Sequence, residues 1–133
     1  MNGYKEVEHT ADIALQVWAE DFYTLLRKAA EGLYALMGVK LATASTLQRL
    51  FTLPQGSKET ILVDFLTELL FLVEEDGLFL SGFCFDASQD AISVRSTGEK
   101  ILTLSREIKA VTFHNLHVET TDQGFSTTIT FDV

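Results

Sequence analysis

"LFLSGFCFDASQDAISVRS" (78–96) and "EIKAVTFHNLHVETTDQGFSTTITFDV" (107–133) decide the fold class of this chain. Both stretches alternate apolar and polar residues at the two-residue period of strands. "SQD", ending at Asp90, and "DQG", ending at Gly124, supply hairpin turns. Four strands are expected here in succession: "LFLSGFCF", "AISVRS", "EIKAVTFHNLHVETT" and "GFSTTITFDV". No helical pattern separates them, whereas parallel neighbours need a crossover of a dozen or more residues.

Upstream, "KEVEH" (5–9), "IALQVWA" (13–19) and "LQRLFTL" (47–53) also alternate like strands. Two segments carry the helical period instead. In "AEDFYTLLRKAAEGLYALMG" the residues Phe22, Leu25, Leu26, Ala29, Leu33 and Leu36 line one face, with Asp21 as cap and Gly38 as stop. In "SKETILVDFLTELLFLVEEDG" the cap is Ser57, Glu59 lies in the first turn and Gly77 closes the end. Ile61, Leu62, Phe65, Leu66, Leu69 and Val73 form its apolar face, and Asp64, Glu68 and Glu75 an acidic stripe, which reads as a solvated surface. The expectation is an α+β fold: a mixed, mostly antiparallel sheet with two helices packed on one face, in one domain over 1–133.

The chain has 133 residues, 47% of them hydrophobic, with ten Phe. That length buries roughly two thirds of the unfolded surface, enough for one core. No run approaches the ~20 apolar residues of a membrane span, and "MNGYKEVEH" lacks the pattern of a signal peptide. With Cys84 as the only cysteine, no internal disulfide can form. A cytoplasmic setting is expected, with Cys84 a small core or sheet residue rather than a nucleophile. Ten Lys and Arg against nineteen Asp and Glu leave a formal net charge of -9. Such a surface repels phosphate backbones, so tight direct binding of nucleic acid is not expected. Basic proteins and metal cations are the favoured partners.

Motifs for nucleotide and redox chemistry are missing: there is no GxGxxG, Walker loop, nucleophile elbow or CxxC. Three histidines are available, His9, His114 and His117. The last two are three apart, which in a strand sets them on opposite faces and precludes a chelating pair. In "EHTADIAL" (8–15) Asp12 is the last polar residue before an apolar strand. By itself "TAD" reads as an Asx turn. What else carries chemistry is spread: His9 and Asp12 at the front, Lys109 and His114 in the penultimate strand, Asp132 beside Val133 at the end. Two carboxylates and a terminal backbone oxygen are ligands of the kind hard cations take.

"EHTADIAL" followed by an amphipathic helix, "IKAVTFHNLHVE", and the ending "FDV" together resemble the archease family, small acidic proteins that assist the tRNA-splicing RNA ligase. The resemblance runs from the first strand to the last residue. It implies a non-catalytic activator that promotes guanylylation of the ligase's active-site histidine and supports multiple turnover. It also implies a divalent-metal site, Ca²⁺ or else Mg²⁺, formed by Asp12, Asp132 and the Val133 backbone oxygen. His9, Lys109 and His114 fall on motif positions without an assigned role. "GEKILTLSRE" (98–107) departs from the family by being shorter and more apolar. The alternative is a small metal-dependent hydrolase or phosphotransferase, with Asp12 and Asp132 as ligands and His9 or His114 as general base. Lys109 would be its only phosphate-orienting group.

Overall fold

The computed structural model describes residues 1–8, 12–42 and 46–133. Its elements run β1 (Gly3–Glu8), β2 (Ile13–Ala19), α1 (Phe22–Met37), β3 (Lys40–Leu41), β4 (Leu47–Pro54), α2 (Lys58–Asp76), β5 (Leu78–Ala87), β6 (Ala91–Thr103), β7 (Ala110–Thr112), β8 (Glu119–Thr121) and β9 (Gly124–Asp132).

Both helices begin and end where their caps dictate. The Asp21 carboxylate accepts the Thr24 N–H at 2.8 Å and the Ser57 hydroxyl accepts that of Thr60 at 3.1 Å. Each such bond satisfies an orphan amide of the first turn, worth about 1 kcal/mol. Gly38 and Gly77 adopt left-handed backbone angles and return their N–H groups to the last turn.

The α+β class holds, with the strands divided between two antiparallel sheets. The first has the order β1-β2-β9, with β7 and β8 sharing the remaining edge of β9. In the second, β6 is flanked by β4 and β5, and the short β3 pairs with its far end. Helix α1 packs on β1, β2 and β9 of one sheet and β5 of the other; α2 packs on β4 and β5 of one and β7 of the other. The helices therefore lie between the sheets rather than on one face of a single sheet. Burial on α2 confirms the geometry, since Val63, Leu70 and Leu72 are buried beside the expected face. Phe65 sits fully buried at the centre, its ring edge-on to Phe83 at 5.1 Å. Of the acidic stripe, Asp64 and Glu68 are half-buried and Glu75 is exposed.

One further expectation changes, that of a single strand over 107–121, while Cys84 takes the sheet position foreseen as one of its two alternatives. Cys84 is exposed on β5, between buried Phe83 and half-buried Phe85, so it is a sheet residue outside the core. Residues 98–103, the first part of the segment that departs from the family, extend β6. The strand expected over 107–121 is two short strands, β7 and β8, joined by a turn. Thr112 Oγ1 accepts the His114 N–H at 3.1 Å, Asn115 takes a positive φ of 58°, and the Leu116 N–H bonds the Phe113 carbonyl at 3.0 Å. These local bonds satisfy the backbone in place of a ladder. His114 and His117 therefore do not sit on opposite faces of a strand, and the argument that kept them apart does not apply.

Candidate functional site

Strand β9 is central to the first sheet because its face alternates cleanly: Thr127, Ile129 and Phe131 are buried, Thr128 and Asp132 exposed. Strand β2 runs antiparallel beside it, with Leu15 opposite Ile129 and Ile13 opposite Phe131. The ladder ends at the Ile13–Phe131 pair, one residue short of Asp12 on one strand and of Asp132 on the other. Asp12 is a half-buried residue in the bend before β2; Asp132 is the exposed last residue of β9. On the other side of β9, Ala110 of β7 pairs with Asp132, and the Lys109 N–H donates to the Asp132 carbonyl at 2.8 Å. Asp132 is thus held in a row between the start of β2 and the start of β7. Val133 follows it, 48% exposed.

Two carboxylates at neighbouring strand ends repel each other when their side chains converge. A cation between them removes that cost, and the oxygens present are hard donors with no thiolate among them. Among the described residues no group of three or more His, Cys, Asp or Glu is placed to hold a metal ion. Two carboxylates and a backbone oxygen are hard donors of the kind Ca²⁺ and Mg²⁺ take, and they lack the thiolates and imidazoles of a closed zinc site.

The other expected residues are placed as follows. His9 lies outside the described residues, as does the Thr10-Ala11 half of the proposed Asx turn. Lys109 joins the row through its backbone, with its side chain exposed. His114 does not join the row. Strand β7 leads away from Asp132, pairing Thr112 with Thr130, and His114 starts the exposed turn beyond that pair.

One role escaped the sequence reading, which placed Glu59 only as a first-turn residue. Glu59, in the first turn of α2, accepts the buried Val118 N–H at 2.8 Å and lies 3.6 Å from His117 Nδ1. The Val118 bond is the chief cause that holds its carboxyl below the usual value. The Thr127 hydroxyl donates to the His117 carbonyl at 2.8 Å, so the turn is tied to both α2 and β9. No local signal links residues 59 positions apart.

A cleft of about 630 Å³ lies between α1, β1 and β5, away from the carboxylate row. Its polar atoms are already engaged. The Tyr34 hydroxyl accepts the Leu80 N–H at 3.1 Å, and Arg27 Nε donates to the Phe83 carbonyl at 3.2 Å. Burial pushes the Tyr34 hydroxyl well above its ordinary ionisation range, so it stays neutral.

The family model of the Archease protein family matches residues 4–133. The chain is 29% identical over 140 residues to the protein archease of Methanosarcina barkeri, covering 98% of this chain and 95% of that one. It is 31% identical over 132 residues to the protein archease of Methanopyrus kandleri, covering 90% and 91%. The crystal structure of an archease from Thermotoga maritima, described as a possible chaperone, superposes with a TM-score of 0.74 at 25% identity, over 97% of this chain and 96% of that one. A solution structure of a Methanobacterium thermoautotrophicum protein has the same fold, with a TM-score of 0.75 at 22% identity over 98% and 99%.

Proposed function

The chain belongs to the archease family, and from that premise we propose that it is a non-catalytic cofactor that activates a tRNA-splicing RNA ligase. In this reading it promotes guanylylation of the ligase and its repeated turnover in tRNA splicing and RNA repair, in the cytoplasm. One observation carries the proposal: the β2–β9 register that leads Asp12 and Asp132, 120 residues apart in sequence, into one row. Asp12, Asp132 and the Val133 backbone oxygen would hold a divalent cation, Ca²⁺ or else Mg²⁺. Bound there, the cation would supply a fixed positive charge within an acidic surface. The chain's own part is mechanical and electrostatic. Strands β2 and β9 would present the two carboxylates from neighbouring strand ends, and the net charge of -9 would steer the surface toward a basic ligase face.

The reading as a hydrolase or phosphotransferase has less support. His114 lies off the carboxylate row, and Lys109 enters it through its backbone.

Purified chain, a cognate ligase, GTP and metal test the proposal by label transfer to the ligase histidine. Wild type should accelerate guanylylation over many turnovers and Asp12→Asn should not. GTP turnover by the chain without a ligase would overturn the activator reading in favour of an enzyme. Tight zinc binding that depends on His114 and His117 would overturn the oxygen-ligand site.

A further inference from the structure

Strand β4 forms one edge of the second sheet, pairing among the described residues only with β6. The Gln55 N–H donates to the Asp90 carbonyl at 3.1 Å, one step beyond the Pro54–Ala91 pair. Hydrogen-bonded pairs alternate in an antiparallel ladder, so Arg49, Phe51 and Leu53 also bond toward β6. The N–H and C=O groups of Gln48, Leu50 and Thr52 then point the other way. Their side chains share the face turned from the helices, and all are exposed, Leu50 by 70%. Pro54 is next in that set and has no N–H to offer, as befits an edge.

An edge of unpaired donors and acceptors beside an exposed leucine is a template for another strand. The edge of β5 is closed differently, since Tyr34 and Arg27 of α1 cap its Leu80 N–H and Phe83 carbonyl. Charge selects the occupant of the β4 edge. The chain carries nineteen Asp and Glu, yet residues 32–58 contain none. The longer edge strands β1 and β5 carry carboxylates, Glu6 and Asp86 among them, as does the short β8 with Glu119. Along β4, two acid-rich molecules can meet without opposing carboxylates.

We propose that β4 is a homodimer interface, in which two copies pair their β4 strands antiparallel about a two-fold axis at Leu50. The two four-stranded sheets then become one continuous sheet. Symmetry fixes the register: Leu50 opposes Leu50 of the second copy, and Gln48 opposes Thr52. Each opposed pair exchanges both N–H···O bonds, and the two Leu50 side chains cover each other. Because each copy carries a charge of -9, the dimer tightens as salt rises. That is the opposite sign from the proposed association with a basic ligase, so either reading can fail alone.

Sedimentation of the full chain over a concentration series, at low and high salt, tests the interface. The wild-type mass should approach twice the monomer value, sooner at high salt, while Leu50→Glu stays monomeric with an unchanged circular dichroism spectrum. In a Cys84→Ser background, Leu50→Cys should cross-link to itself on mild oxidation, because opposed bonded residues have Cα atoms about 5.5 Å apart, within disulfide range. Thr52→Cys, which faces Gln48, should cross-link at least about tenfold more slowly, its two copies lying beyond ~7 Å. A wild type that is monomeric at every concentration and salt overturns the proposal and leaves the edge to a strand from another protein. Equal dimerisation by Leu50→Glu, or equal cross-linking at residues 50 and 52, overturns the placement.

Discussion

Replacing Glu59 by glutamine discharges the side chain that ties α2 to the turn between β7 and β8. Its Oε2 accepts the Val118 N–H at 2.8 Å, and Val118 is only 6% exposed, so that amide has no ready substitute in water. Glutamine keeps an acceptor of nearly the same shape. A hydrogen bond to a charged group is worth about 1.5–3 kcal/mol and a neutral one about 1, so Glu59→Gln should cost about 1 kcal/mol at neutral pH. For a domain of this size that lowers Tm by about 4 °C. Glu59→Ala orphans the amide and should cost about 2–3 kcal/mol. The pH dependence has a definite sign. The folded-state pKa is held below the usual 4.5, chiefly by the Val118 bond, next by Glu59's own backbone N–H, and only then by His117 and Lys58. The carboxylate therefore contributes its full stability above the unfolded value and loses it as pH falls through the folded one. Thermal melts of wild type, Glu59→Gln and Glu59→Ala down an acid series test this. The gap between wild type and Glu59→Gln should close in acid, while the gap between Gln and Ala should persist. A wild type–Gln gap independent of pH, or equal melts for Gln and Ala, would refute the assignment.

Tyr34→Phe leaves the Leu80 N–H unpaired in the core and should cost about 1–3 kcal/mol by chemical denaturation; in wild type, ultraviolet titration should show one tyrosine that ionises only when the protein unfolds in alkali. Gly124 sits at φ 130° in the β8–β9 turn, where an added Cβ would collide with the Ala19 carbonyl. Gly124→Ala should therefore destabilise by about 2 kcal/mol or more, and a melt within 1 °C of wild type would count against that geometry. Association with a basic ligase should weaken as ionic strength rises, since charges are screened over about 8 Å at physiological salt. Tight tRNA binding by the isolated chain under the same conditions would contradict the charge argument.

What the sequence made legible was local. Asp21, Ser57, Gly38 and Gly77 mark the helix ends because a cap acts within one turn. The buried face of β9 follows from the alternation of Ile129 and Phe131 with Thr128, Thr130 and Asp132. The division into two sheets was hidden, because alternation tells which side of a strand is buried but not which strand lies beside it. Near-continuous apolar burial on α2 was the available hint that it lies between two layers. Residues 107–121 alternate well enough to pass for one strand; Thr112, Asn115 and the distant Glu59 redirect that backbone into a turn. Asp12 and Asp132 stood out as carboxylates at strand ends, but their common row depends on pairing across the whole chain. Local pattern carries no information about that register.

Calcium titration calorimetry on wild type, Asp12→Asn, Asp132→Asn and the double variant tests the central claim most directly, because two ligands of one ion are coupled. Each single change should weaken binding by about tenfold or more, at least ~1.4 kcal/mol, with the fold intact. The double variant should lose clearly less than the sum of the two, since the second carboxylate has little left to hold. Wild-type affinity in Asp132→Asn, or strictly additive losses in the double variant, would contradict a shared site and return Asp12 to the role of a turn residue.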